Sequence, residues 1–97
     1  MSTIYAIVNS EGNVINGNIN ATKKKDGYYE VDFLTRFSSV PCVLVTADTD
    51  GQENEQYTVA ISVKNVSVSG FNVSLQNLSL APFNGGFNIL ASDDFGS

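Results

Sequence analysis

Apolar residues recur at every second position through most of this chain, and that spacing leaves little choice of backbone. Tyr29, Val31 and Phe33 alternate with Tyr28, Glu30 and Asp32. Phe71, Val73 and Leu75 alternate with Asn72, Ser74 and Gln76, and Phe87, Ile89 and Ala91 with Asn88, Leu90 and Ser92. Successive side chains of an extended strand point to opposite faces, so each run reads as a strand with one dry and one wet side. Tyr57, Val59, Ile61 and Val63, interleaved with Thr58, Ala60, Ser62 and Lys64, form the longest such run. Residues 3–8 are apolar almost without interruption, which predicts a strand covered on both sides. Residues 42–47 read as another apolar strand, with Cys42 as a small buried hydrophobe. No window keeps helical spacing for more than two turns.

Turn-forming residues separate these runs. Ser10-Glu11-Gly12-Asn13 is a turn, and Asn16-Gly17 is the pair preferred in tight hairpins because both residues tolerate positive φ. Residues 23–27 and 48–56 read as polar loops, Ser69-Gly70 as a turn needing a conformation closed to residues with Cβ, and residues 78–86 as an irregular segment. The expected fold is an all-β antiparallel β-sandwich of six to seven strands. It forms a single domain over residues 1–97: an N-terminal hairpin (1–27), a core (28–92) and a frayed tail (93–97).

Charge and residue inventory exclude several function classes. The chain carries a net charge of −5, and its one basic cluster, Lys23-Lys24-Lys25, reads as a solvated loop. That is not the broad positive face nucleic acid demands, so no nucleic-acid partner is expected. Histidine is absent, which removes the usual neutral-pH base and the commonest zinc ligand. One cysteine forms no internal disulfide. With no nucleophile–base pair and no cofactor motif, the expectation is a non-enzymatic protein. The opening residues lack a signal-peptide pattern, and no apolar segment approaches ~20 residues. The expectation is cytoplasmic synthesis without membrane insertion, with release, or a place in a virion or similar particle, left open as alternatives. The Asn-x-Ser/Thr triplets at Asn20, Asn65, Asn72 and Asn77 are at chance level in so asparagine- and serine-rich a chain.

The densest acidic stretch is Asp48-Thr49-Asp50-Gly51-Gln52-Glu53-Asn54-Glu55. Asp-x-Asp-Gly resembles the opening of a calcium loop, where hard oxygen ligands alternate along a turn. Glycine comes too early for an EF-hand and no helices flank it, so a solvated hairpin loop is favoured over calcium. No cofactor is expected. A glycosidase pair would need one acid against an apolar wall, which this stretch lacks. Among the tyrosines, Tyr29 and Tyr57 follow the core alternation, whereas Tyr28 faces outward and offers an aromatic platform for a sugar ring. The outer faces carry Asn, Ser, Thr and Gln in place of dense charge, a surface suited to sugar contact or to a packed multimer. Tyr28, Asp48, Asp50, Asn54 and Thr58 are the candidate ligand contacts.

Val31-x-Phe33, Phe37, Pro41-x-Val43, Val63-x-Asn65-Val66-x-x-x-Gly70-Phe71 and Ile89-Leu90-Ala91 together resemble the H-type lectin pattern over about two-thirds of the chain. The resemblance implies a six-stranded antiparallel sandwich assembling as a homotrimer, sometimes stacked into a hexamer. Its sites would lie between subunits and select galactose or N-acetylgalactosamine from glycans or cell-surface carbohydrate. At the positions of the family's pocket arginine and loop aromatic pair this chain has Thr58, and Leu78 with Ser79. Ile89-Leu90 replaces the family's tryptophan in the closing strand. These departures imply an absent or rebuilt sugar pocket. Residues 4–27 look instead like the opening of phage tail-fibre modules, which implies an alternative role as a structural or receptor-binding trimeric knob.

Overall fold

The computed structural model describes residues 2–48, 60–77, 79–82 and 84–94. Among them are eight strands: β1 (Thr3–Val8), β2 (Val14–Gly17), β3 (Ile19–Lys25), β4 (Tyr28–Phe33), β5 (Cys42–Asp48), β6 (Ala60–Lys64), β7 (Gly70–Gln76) and β8 (Gly86–Ser92). They form two four-stranded sheets, ordered β2-β1-β8-β5 and β3-β4-β7-β6. Every pairing is antiparallel. The all-β antiparallel expectation holds, with eight strands in place of six or seven.

The alternating residues meet between the sheets. Tyr29, Val31, Phe71, Val73 and Leu75 of the second sheet and Ala6, Val8, Phe87, Ile89 and Ala91 of the first are all buried. Tyr29 stacks edge-on against Phe87 across the two sheets, at a centroid distance of 5.3 Å. Its hydroxyl donates to the Ser10 carbonyl oxygen at 2.6 Å, so the ring is buried without leaving its polar end unsatisfied. Burial pushes the Tyr29 phenol pKa up, which keeps it neutral. Phe33 packs against Phe37 and Phe71 at the other end of β4.

Several local expectations are corrected. The lysine cluster belongs to β3 and is not a loop: Lys23 pairs with Tyr29 and Lys25 with Tyr28, so strand pairing overrides local polarity. The β1–β2 hairpin closes at Ser10–Asn13, where the Asn9 side-chain oxygen accepts the amides of Glu11 and Asn13. Asn16-Gly17 is therefore not a hairpin turn but the end of β2. Gly17 has φ of 123° there, and Ala6 leaves no room for a Cβ. Gly70 does not adopt a positive φ; it is required because a Cβ would press on the Val31 carbonyl oxygen. Cys42 is exposed, since Val43 and Val45 are the β5 residues packed against the core. β1 is covered on one side only, with Ala6 and Val8 inside and Tyr5 and Ile7 outside.

The start of the predicted tail is not frayed. Asp93 is buried, and its carboxylate accepts the Ser2 amide at 2.5 Å and the Ser38 hydroxyl at 3.1 Å. Its own amide donates to the Ser2 carbonyl at 3.1 Å, so this one residue ties the two ends of the described chain together. The Ser2 amide, seconded by Ser38, lowers the carboxyl pKa below its ordinary 3.8. A lowered folded-state pKa contributes stability above the unfolded value and loses it as pH falls through the folded one. Acid titration followed by circular dichroism should therefore show destabilisation that begins as pH falls into the ordinary carboxylate range and continues below it. Asp93→Asn should flatten that part of the profile, and an unchanged acid limb would assign the sensitivity to other carboxylates.

Candidate functional site

A small polar pocket that includes the predicted contact Tyr28 lies on the outer face of the second sheet. Tyr28 opens β4 on that face and stands opposite Ser74 of β7, which in turn stands opposite Ser62 of β6. A cavity of about 230 Å³ brings Tyr28 together with Lys25, Asp26, Lys64, Ser74 and Gln76. The turn that carries Tyr28 is pinned from both sides. Asn84 accepts the Gly27 amide through Oδ1 at 2.9 Å and donates through Nδ2 to Asp26 at 3.2 Å. The Gly27 carbonyl accepts the Leu75 amide at 2.8 Å, and Gly27 itself sits at a φ of 71°. The Asn84 hydrogen bond, helped by Lys23 at 3.5 Å, holds the Asp26 carboxyl below its ordinary pKa and keeps it ionised.

Chemically, this pocket offers a flat aromatic ring, two ammonium donors, one carboxylate acceptor, and a hydroxyl and an amide that both donate and accept. That mixture suits a polyhydroxylated ring. Lys25 Nζ stands 5.5 Å from the Tyr28 centroid, a cation–π contact worth about 0.5–1 kcal/mol at an exposed site, which an incoming ring would have to displace or share.

Asp48 lies elsewhere, at the end of β5 in the first sheet, paired with Gly86. Asn84 holds the Gly27 turn two residues before Gly86, so Tyr28 and Asp48 share an end of the sandwich but belong to different sheets. Asp50, Asn54 and Thr58 fall outside the described residues, as do Tyr57 and Leu78. Ser79 is described and exposed, with its amide donating to the Asn77 side chain at 2.9 Å. Among the described residues no group of three or more His, Cys, Asp and Glu side chains could hold a metal, though most of the acidic stretch lies beyond them. No described helix is long and apolar enough to cross a membrane.

Sequence reasoning read the outer faces as uncharged and polar and missed an apolar row on that of the first sheet. Tyr5 of β1, Leu90 of β8 and Leu44 of β5 stand directly opposite one another across three strands, at 71, 36 and 58 % exposure. Ile7, Asn88 and Thr46 form the next row, with Asn16 of β2 beyond Ile7. A shallow groove runs between Tyr5, Ile7, Asn16 and Asn88. The available signal was the nearly continuous apolar run of residues 3–8: a strand with almost no polar side needs two covers, and the chain's own core supplies one. No family model, curated protein or solved structure matches this chain.

Proposed function

We propose that this is a non-enzymatic, lectin-like carbohydrate-binding protein that contacts neutral sugars through the pocket at Tyr28. One observation carries the reading: an outward aromatic ring is held on a pinned turn and ringed by hydrogen-bonding groups of both kinds. Stacking buries a sugar's C–H face on the ring, while Lys25, Asp26, Ser74 and Gln76 reach its hydroxyls. An open pocket of this size binds weakly on its own, and a homotrimer or hexamer would multiply that affinity through effective concentration. Galactose and N-acetylgalactosamine are the first candidates because the lectin resemblance implies them. Asp48, Asp50, Asn54 and Thr58 remain candidate contacts for a larger glycan, and no cofactor is required.

A glycan array followed by titration calorimetry tests the proposal. Millimolar or tighter binding is expected for at least one neutral glycan. Tyr28→Ala should weaken it by roughly two- to tenfold, the worth of one lost stacking contact. Chelation of calcium should leave binding unchanged, and generic glycoside and ester substrates should give no turnover. An array without hits from a folded, assembled protein would favour the second reading, a structural or receptor-binding trimeric knob of a phage tail fibre or related particle. What favours that reading is the uncharged, exposed face of the first sheet.

A further inference from the structure

We propose that the outer face of the first sheet is where a second copy of this chain docks. The two outer faces differ sharply in charge. On the second sheet, Lys24, Glu30, Asp32 and Lys64 are at least partly exposed, and Lys24 pairs with Glu30 at 3.9 Å, as a solvated face would allow. On the first, the outward positions are Thr3, Tyr5 and Ile7 in β1, Asn16 in β2, Asn88, Leu90 and Ser92 in β8, and Cys42, Leu44 and Thr46 in β5. None is charged, and Asp48 enters only at the far end of β5.

That contrast selects the occupant. A chain with a net charge of −5 repels its own copies wherever charged surfaces meet. The uncharged sheet is the face on which two copies can approach without desolvating or opposing like charges. A neutral apolar row matches itself, so one patch used twice gives a closed two-fold contact. The rows Tyr5–Leu90–Leu44 of the two copies would interleave as the inner faces of a sandwich do, with the sheets about 10 Å apart. The second cover demanded by β1's apolar run is then supplied.

Area sets the expected strength. Strands about 4.8 Å apart, of six, four, seven and seven residues, present roughly 390 Å² per face, so two roughened faces bury on the order of 800–1,000 Å² together. That is at or below the lower bound for a specific interface, and it predicts weak, reversible association. A closed two-fold contact pairs chains, or stacks two trimers into a hexamer, but does not itself close a trimer. The proposal therefore adds a contact to the assembly in the proposed function and is independent of whether a sugar binds.

Sedimentation velocity over a range from low micromolar to near-millimolar protein, with Cys42 alkylation in parallel, tests it. The wild type should associate with rising concentration, and Cys42 should become slower to alkylate. Leu44→Glu and Leu90→Glu each place a carboxylate in the row and should weaken association about tenfold or more while restoring Cys42 reactivity. Circular dichroism confirms that each variant is folded, and two independent positions guard against one that is not. A wild type that stays a monomer at every concentration would sink both this surface and the assembly reading. Association that neither substitution weakens would overturn the surface alone. So would protection of Cys42 by a sugar or a lipid vesicle without a change in protein mass, which would make the face a ligand surface.

Discussion

Tyr29→Ala should lower the unfolding free energy by about 3–5 kcal/mol, the range for deleting a large aromatic from a core. Three losses coincide at this position. The ring is fully buried, it makes the inter-sheet contact with Phe87, and its hydroxyl satisfies the Ser10 carbonyl in the β1–β2 hairpin. Domains are stable by only about 5–15 kcal/mol, and short ones sit low in that range. The variant should therefore be largely unfolded at modest urea concentrations. Tyr29→Phe separates packing from the hydrogen bond. It keeps the ring and orphans one carbonyl, so a cost of about 1 kcal/mol is expected. Urea unfolding followed by circular dichroism reads both. A Tyr29→Ala cost near that of Tyr29→Phe would mean that the ring is not part of the joint between the sheets.

Gly70→Val is the second large effect, at about 3 kcal/mol. Gly70 opens β7 opposite Asp32, and a Cβ there meets the Val31 carbonyl oxygen and the Asp32 backbone. The clash is with main chain, so no rotamer change relieves it, and β4 and β7 must separate at that end. Those strands also carry Tyr28 and Ser74 at their other end. The damage should thus appear in stability first and in the pocket only as the sheet opens. A Gly70→Val protein with an unchanged urea midpoint would show that the strands part there at no cost.

Period-two alternation made the fold readable because it is a direct image of which side chains face inward. Tyr29, Val31, Phe33, Phe71, Val73, Leu75, Phe87, Ile89 and Ala91 are all in the core, as their spacing demands. What local sequence could not supply is what depends on pairing between distant segments. Lys23-Lys24-Lys25 is strand because β4 lies beside it, and Asp93 is ordered because Ser2 and Ser38 reach it. Gly70 was singled out for the wrong property, conformational freedom, when the need is space beside Val31. The outer faces were the hardest to read. Tyr28 and Tyr5 are both outward tyrosines at strand positions, yet one lies among charged and polar groups and the other in an apolar row. Only the cross-strand register distinguishes them. Asp48 was grouped with Tyr28 on chemistry alone, and the sheets separate them.

On these two proposals the sandwich has one side for sugar and one for a second copy of itself. Its sugar-facing half is tested most directly by a two-dimensional amide NMR titration with galactose and N-acetylgalactosamine. Saturable shifts are expected at Lys25, Asp26, Gly27, Tyr28 and Ser74, with the first sheet's Tyr5 and Leu90 amides unmoved. Absence of any saturable shift, or shifts that persist unchanged in Tyr28→Ala, would contradict it.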